Sequence, residues 1–97
     1  MTQIERIQQM EQKLDAGAEA IRALSEALDQ YLKVKPDLEV LFDYYSSPRW
    51  MQDFDDDAAG KLPHDLKRGV LSEDAVYDLL TERAAILQQM REIVGAQ

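Results

Sequence analysis

Apolar residues return every seventh position along the first third of the chain. Ile7, Leu14, Ile21 and Leu28 form the series, Met10, Leu24 and Tyr31 fill the intermediate positions, and Glu, Gln, Arg and Lys take most of the rest. This spacing puts one apolar stripe on one face of a helix. It predicts a helix from Thr2 to about Lys33, a rod of roughly 45 Å at 1.5 Å per residue. Gly17 falls on the stripe between Ala16 and Ala18, so either another segment approaches closely there or the glycine is a mild weak point. Packing inside the domain and an intermolecular coiled coil both use such a stripe. Four heptads with a glycine at a central position favour the first and leave homodimerisation through the long helices open.

Lys33 and Lys35 suit a helix C-terminus electrostatically, and Pro36 disfavours helical geometry at Lys35, so the rod is expected to stop there. Pro36 then opens a second helix of about eleven residues, with Leu38, Leu41, Phe42 and Tyr45 at i, i+3, i+4 and i+7. Ser47-Pro48 repeats the signal as N-cap and first helical residue. Trp50, Phe54 and Ala58 share a face of that third helix, which ends near Gly60.

Leu62-Pro63 reads as an extended step, followed by at most a turn of helix up to Gly69, where a positive φ is expected. Ser72 is the clearest N-cap: Glu73 and Asp74 meet the positive end of the helix dipole, and Leu71 stands where it can pack on Val76. Leu79, Leu80, Ile86, Leu87, Met90, Ile93 and Val94 carry an apolar stripe to a second long helix ending near Gly95, interrupted by Arg83, which is expected to snorkel. The expectation is an all-α, single helical domain over residues 1–97: a small bundle of two long antiparallel helices with the short central helices packed across one end.

Composition narrows the function. A chain of 97 residues has room for one small core. Nineteen acidic and eleven basic residues give a net charge of -8. Phosphate neutralisation needs the opposite sign, so direct nucleic-acid binding is not expected. Without cysteines there is no disulfide, zinc-thiolate site or thiol catalysis. No run approaches a membrane span, and MTQIERIQQMEQ lacks the apolar core of a signal peptide, so a cytoplasmic protein is expected.

Candidate chemistry concentrates between Tyr44 and Asp74, the stretch with the only Trp and the only His. Asp53, Asp55 and Asp57 reproduce the opening of a calcium loop, but Ala58 stands where that loop needs Gly and His64 where it needs Glu. A looser divalent site would use Asp53 and Asp57 with His64 or Asp65; the other reading of the run, with Asp56, is a solvated acidic face. Lys61, Lys67 and Arg68 can fold back to neutralise it. Ser46, Ser47 and Ser72 with a lone His64 beside Asp65 make a poor nucleophile and base set, and the four glycines are too dispersed for a phosphate loop. No enzyme activity and no cofactor is expected. Tyr44, Tyr45 and Trp50, with Asp56 and Arg68, are candidates for a surface that meets another protein.

The order ERIQQME, YYSSPRWMQDF, an acidic run, GKLPHDLKRGVLSEDAVYDLL and a helical tail resembles the bacterial helical family catalogued as domain of unknown function 4298. The resemblance covers nearly the whole chain, and Trp50, Asp53, Leu62, Gly69, Leu71, Ser72 and Asp74 carry it. It implies a small stand-alone cytoplasmic bacterial protein and transfers no chemistry. The leading expectation is a protein-protein interaction or regulatory module with an unknown protein partner. The alternative is a divalent-metal or small-ligand binding protein using residues 53–65. An acidic decoy for nucleic-acid-binding proteins rests on net charge alone.

Overall fold

A computed structural model describes residues 2–96. The chain is 82% helical and has no strand among the described residues. Helix α1 spans Gln3–Tyr45, α2 Pro48–Ala58 and α3 Ala75–Gly95, with a 3-10 turn at Gly69–Leu71 before α3. Two compact units result, Met1–Pro36 and Asp37–Gln97.

The first correction to the sequence reading is at Pro36. The helix does not stop at Lys35; α1 runs through the proline to Tyr45. Proline removes the N–H that the Leu32 carbonyl would accept and its ring crowds that carbonyl, together costing about 3 kcal/mol in a helix interior; water at the carbonyl offsets only the first part. Leu32 is exposed, so solvent can supply the bond. The apolar residues beyond the proline also stay in phase with those before it: Tyr31, Leu38 and Tyr45 are seven apart, as are Ile21 and Leu28, and Phe42 stands two heptads beyond Leu28. What reads as a new helix is the same stripe continued. Lys33 and Lys35 therefore lie in the helix interior, and no basic residue occupies its last turn.

In the first unit no described residue is buried. Ile7, Met10, Leu14, Ile21 and Leu24 all stand exposed along the seam.

In the second unit the core takes one residue from each element: Phe42 from α1, Trp50 from α2, Leu71 from the 3-10 turn and Val76 from α3. Two long helices packed over a common core are therefore not what buries these side chains. Of these four, α1 supplies one from its last turn and α3 one from its first; further along α3, Leu80, Arg83, Leu87 and Met90 are half-buried while Leu79, Ile86 and Ile93 are exposed. Arg83 does not simply snorkel. Its guanidinium lies 4.6 Å from the Phe42 ring centroid and Nη1 is 3.6 Å from Glu39 Oε1, so a cation–π contact helps close the core above Phe42.

The second correction concerns glycine. Gly60, at φ +74°, is the glycine with positive φ, whereas Gly69 opens the 3-10 turn without one. Gly60 ends α2 in a Schellman arrangement: its N–H donates to the Asp57 carbonyl at 3.0 Å and the Lys61 N–H to that of Asp56 at 3.0 Å. The left-handed residue is thus spent on capping α2, and a helical turn serves at Gly69.

Candidate functional site

The stretch between Tyr44 and Asp74 is held by side chains that reach backbone groups. Ser47 caps α2, accepting the Trp50 N–H at 3.4 Å and donating its hydroxyl to the Tyr44 carbonyl at 2.6 Å. Pro48 follows at the first helical position, where its missing N–H costs nothing. Ser46 donates to the Phe42 carbonyl at 3.1 Å. Together these bonds turn the chain from α1 into α2 within two residues.

Trp50 is the centre of the stretch. Its ring stacks on Phe54 at 5.2 Å and meets the edge of Tyr45 at 5.1 Å. Its Nε1–H donates to the Val70 carbonyl at 2.8 Å. A buried indole needs a partner for that N–H, and finding it in Val70 fixes the 3-10 turn against α2. Tyr45 adds a second tie, donating its hydroxyl to the Glu73 carbonyl at 3.0 Å. Ser72 then accepts the Ala75 N–H at 2.9 Å and starts α3 as expected.

The aspartates do not converge. At 100° per residue, Asp53 and Asp57 share a face of α2 while Asp55 points to the opposite side. Asp53 accepts the Tyr44 hydroxyl at 2.6 Å. Asp57 accepts Arg68 Nη1. Asp56 accepts Gln52 Nε2 at 2.9 Å and lies 3.8 Å from the exposed Lys61. Asp55 and His64 are exposed. No three His, Cys, Asp or Glu among the described residues are grouped to hold a metal ion. The hydrogen bond that Tyr44 donates to Asp53, with some burial and the nearby carboxylate charge, pushes its phenol up to about 12.

The candidate interaction residues all make bonds within the second unit. Trp50 is buried, and the Tyr44 and Tyr45 hydroxyls are engaged inside the unit. Arg68 binds the chain that joins α2 to α3: besides Asp57 it donates to the Pro63 carbonyl and, through Nε, to that of Leu66 at 3.2 Å. Asp56 has its partners at the surface, as Tyr45 and Arg68 have some of theirs. Ser46, Ser47 and Ser72 spend their hydroxyls on backbone groups. What the sequence reading missed is Val70 and Glu73, whose carbonyls receive the Trp50 and Tyr45 side chains. A buried Trp next to a helix cap signals that some carbonyl must serve it, without saying which.

This geometry defines an all-helical protein, with no helix among the described residues long and apolar enough to cross a membrane. The chain belongs to the family described as domain of unknown function 4298, whose model matches residues 7–93. Neither the comparison with curated proteins nor that with solved structures found a match.

Proposed function

We propose that the protein is a non-enzymatic interaction module of the cytoplasm that binds a protein through the apolar seam of α1. One observation carries the reading: residues at heptad spacing over Ile4 to Leu32 keep large apolar side chains in solvent, Ile4 at 69% and Ile21 at 67% exposure. Contiguous apolar surface of this size on a charged, otherwise polar helix is the mark of a docking surface. The central stretch supports this role by closing its own unit. Its aromatic residues face inward and Asp53, Asp56 and Asp57 find partners, while the seam stays open to another chain. The net charge of -8 directs the binding away from nucleic acid and towards protein.

The test uses the double variant Leu14→Glu/Leu24→Glu, which places two charges on the seam. Protein association of the wild type, with itself or with a protein captured from the native cell, is lost in the variant, while thermal melting of the Trp50 fluorescence is unchanged. Association that survives both charges refutes the reading.

A further inference from the structure

We infer that the occupant of the α1 seam is a second copy of this chain, docked antiparallel about a two-fold axis that passes beside Glu19. The inference rests on the seam being the docking surface and names what docks there.

Eight large apolar side chains between Ile4 and Leu32 remain between 38% and 69% exposed. They offer roughly 800 Å² per copy, the area that each partner gives up in a stable protein interface of standard size. A shorter partner segment would leave part of the seam wet. A second copy of the same seam is the same length and apolar throughout, and a two-fold interface places the same patch on both sides.

With the axis beside Glu19, Leu14 meets the partner's Leu24, Met10 meets the partner's Leu28 and Ile4 meets the partner's Leu32, so large apolar residues oppose one another along the whole seam. Gly17, the one gap in the stripe, meets the partner's Ile21. An ideal Cβ on Gly17 has nothing within 4 Å in the single chain, and the helix face dips there between Leu14 and Ile21. A branched side chain from the partner fills that dip. Ala18 and Ala20 flank the axis and face their own copies, where small side chains let the two backbones draw close.

The residues bordering the seam pair as Glu11 with the partner's Ser25, Lys13 with the partner's Ala27 and Arg6 with the partner's Val34. No like charges oppose each other. A parallel pairing is worse on two counts. It sets Gly17 against the partner's Gly17, leaving a void, and it sets Lys35, which continues the seam in the same phase, against the partner's Lys35 in the middle of the interface.

Sedimentation equilibrium and disulfide trapping test this together. Wild-type protein at micromolar concentration sediments at twice its 11.1 kDa mass. The chain contains no cysteine, so single substitutions report pairing without background. Oxidising a mixture of Leu14→Cys and Leu24→Cys chains gives a cross-linked dimer holding one of each, while neither variant oxidised alone cross-links. Leu14→Cys linking to itself overturns the antiparallel arrangement. A wild type that stays monomeric while its seam captures a different protein overturns the second copy and leaves the interaction module standing. No seam-dependent association of either kind removes both.

Discussion

The two units put their apolar residues to opposite uses. Over residues 2–36 the pattern is regular, interrupted at Gly17 and Lys35, and no described side chain is buried. Over residues 37–96 the pattern is irregular, broken by Pro48, Gly60, Pro63 and Gly69, yet it holds all four buried residues and most of the long-range ties. Regular repetition makes a continuous face, which suits another helix but gives one chain nothing to close upon. Irregularity lets a few side chains reach distant carbonyls, and that closes a core from one residue per element. The lesson is that a strong helical pattern identifies a surface, while punctuation residues identify the folded knot.

The sharpest way to break this comparison is Trp50→Ala. It removes the stacked ring and orphans the Val70 carbonyl, and losses of about 3–5 kcal/mol are usual for a buried aromatic. A unit of this size is expected to lose its cooperative melt, read by circular dichroism, while residues 2–36 keep whatever helix they have. An unaltered melt would mean that the core lies elsewhere.

Two glycines provide the next contrast. Gly60→Ala forces a Cβ into the left-handed region and is expected to cost about 1–2 kcal/mol, whereas Gly69→Ala, with ordinary φ and nothing within 4 Å of the new Cβ, is expected to stay within about 0.5 kcal/mol of wild type. Denaturant midpoints of the pair decide it, and the reverse order would refute the assignment of the two turns. Arg68→Ala sits at a similar level. It strips Asp57 and two carbonyls of a donor, and because the side chain is 36% exposed water replaces part of the loss, leaving about 1 kcal/mol. A midpoint unchanged in Arg68→Ala would show that the connecting segment needs no tie.

Smaller still is the alkaline dependence of Tyr44. Its phenol rises from 10.0 to about 12, so the folded state holds the proton more tightly than the unfolded one. The stabilisation is fully present below pH 10 and is lost as pH climbs through about 12. Between those values wild type should lose stability more steeply than Tyr44→Phe; parallel profiles would show that the bond to Asp53 is not made. Smallest of all is the response to divalent cations. With Asp55 turned away from Asp53 and Asp57, millimolar Ca²⁺ is expected to shift the melt no more than NaCl of equal ionic strength, and an ion-specific shift abolished by Asp55→Asn would contradict the placement of the acidic run.

Much of this was legible in the residues. Ser47-Pro48 and Ser72 declared the starts of α2 and α3, and Gly60 the end of α2, because each signal is local: a hydroxyl and an N–H three residues on, or a backbone angle that only glycine takes easily. Pro36 misled because its local rule was applied without the phase of the stripe on either side of it. Gly69 misled because two glycines flank one short connection and only one left-handed residue is needed there. The roles of Tyr44, Tyr45, Trp50 and Arg68 were beyond the sequence, since their partners Asp53, Glu73, Val70 and Pro63 are set by the tertiary path. Asp53, Asp55 and Asp57 were separable from the start by helical phase, once α2 was known to reach Ala58.

Native-state amide hydrogen exchange, followed as protein concentration is raised, tests the division between the units most directly. Amides of residues 50–58 and 76–83 should exchange at a rate independent of concentration, because their protection comes from a core the single chain supplies. Amides of residues 10–30 should exchange quickly when dilute and slow as concentration rises, because their protection comes from a second seam. Protection that is equal in the two regions and flat with concentration would contradict the account.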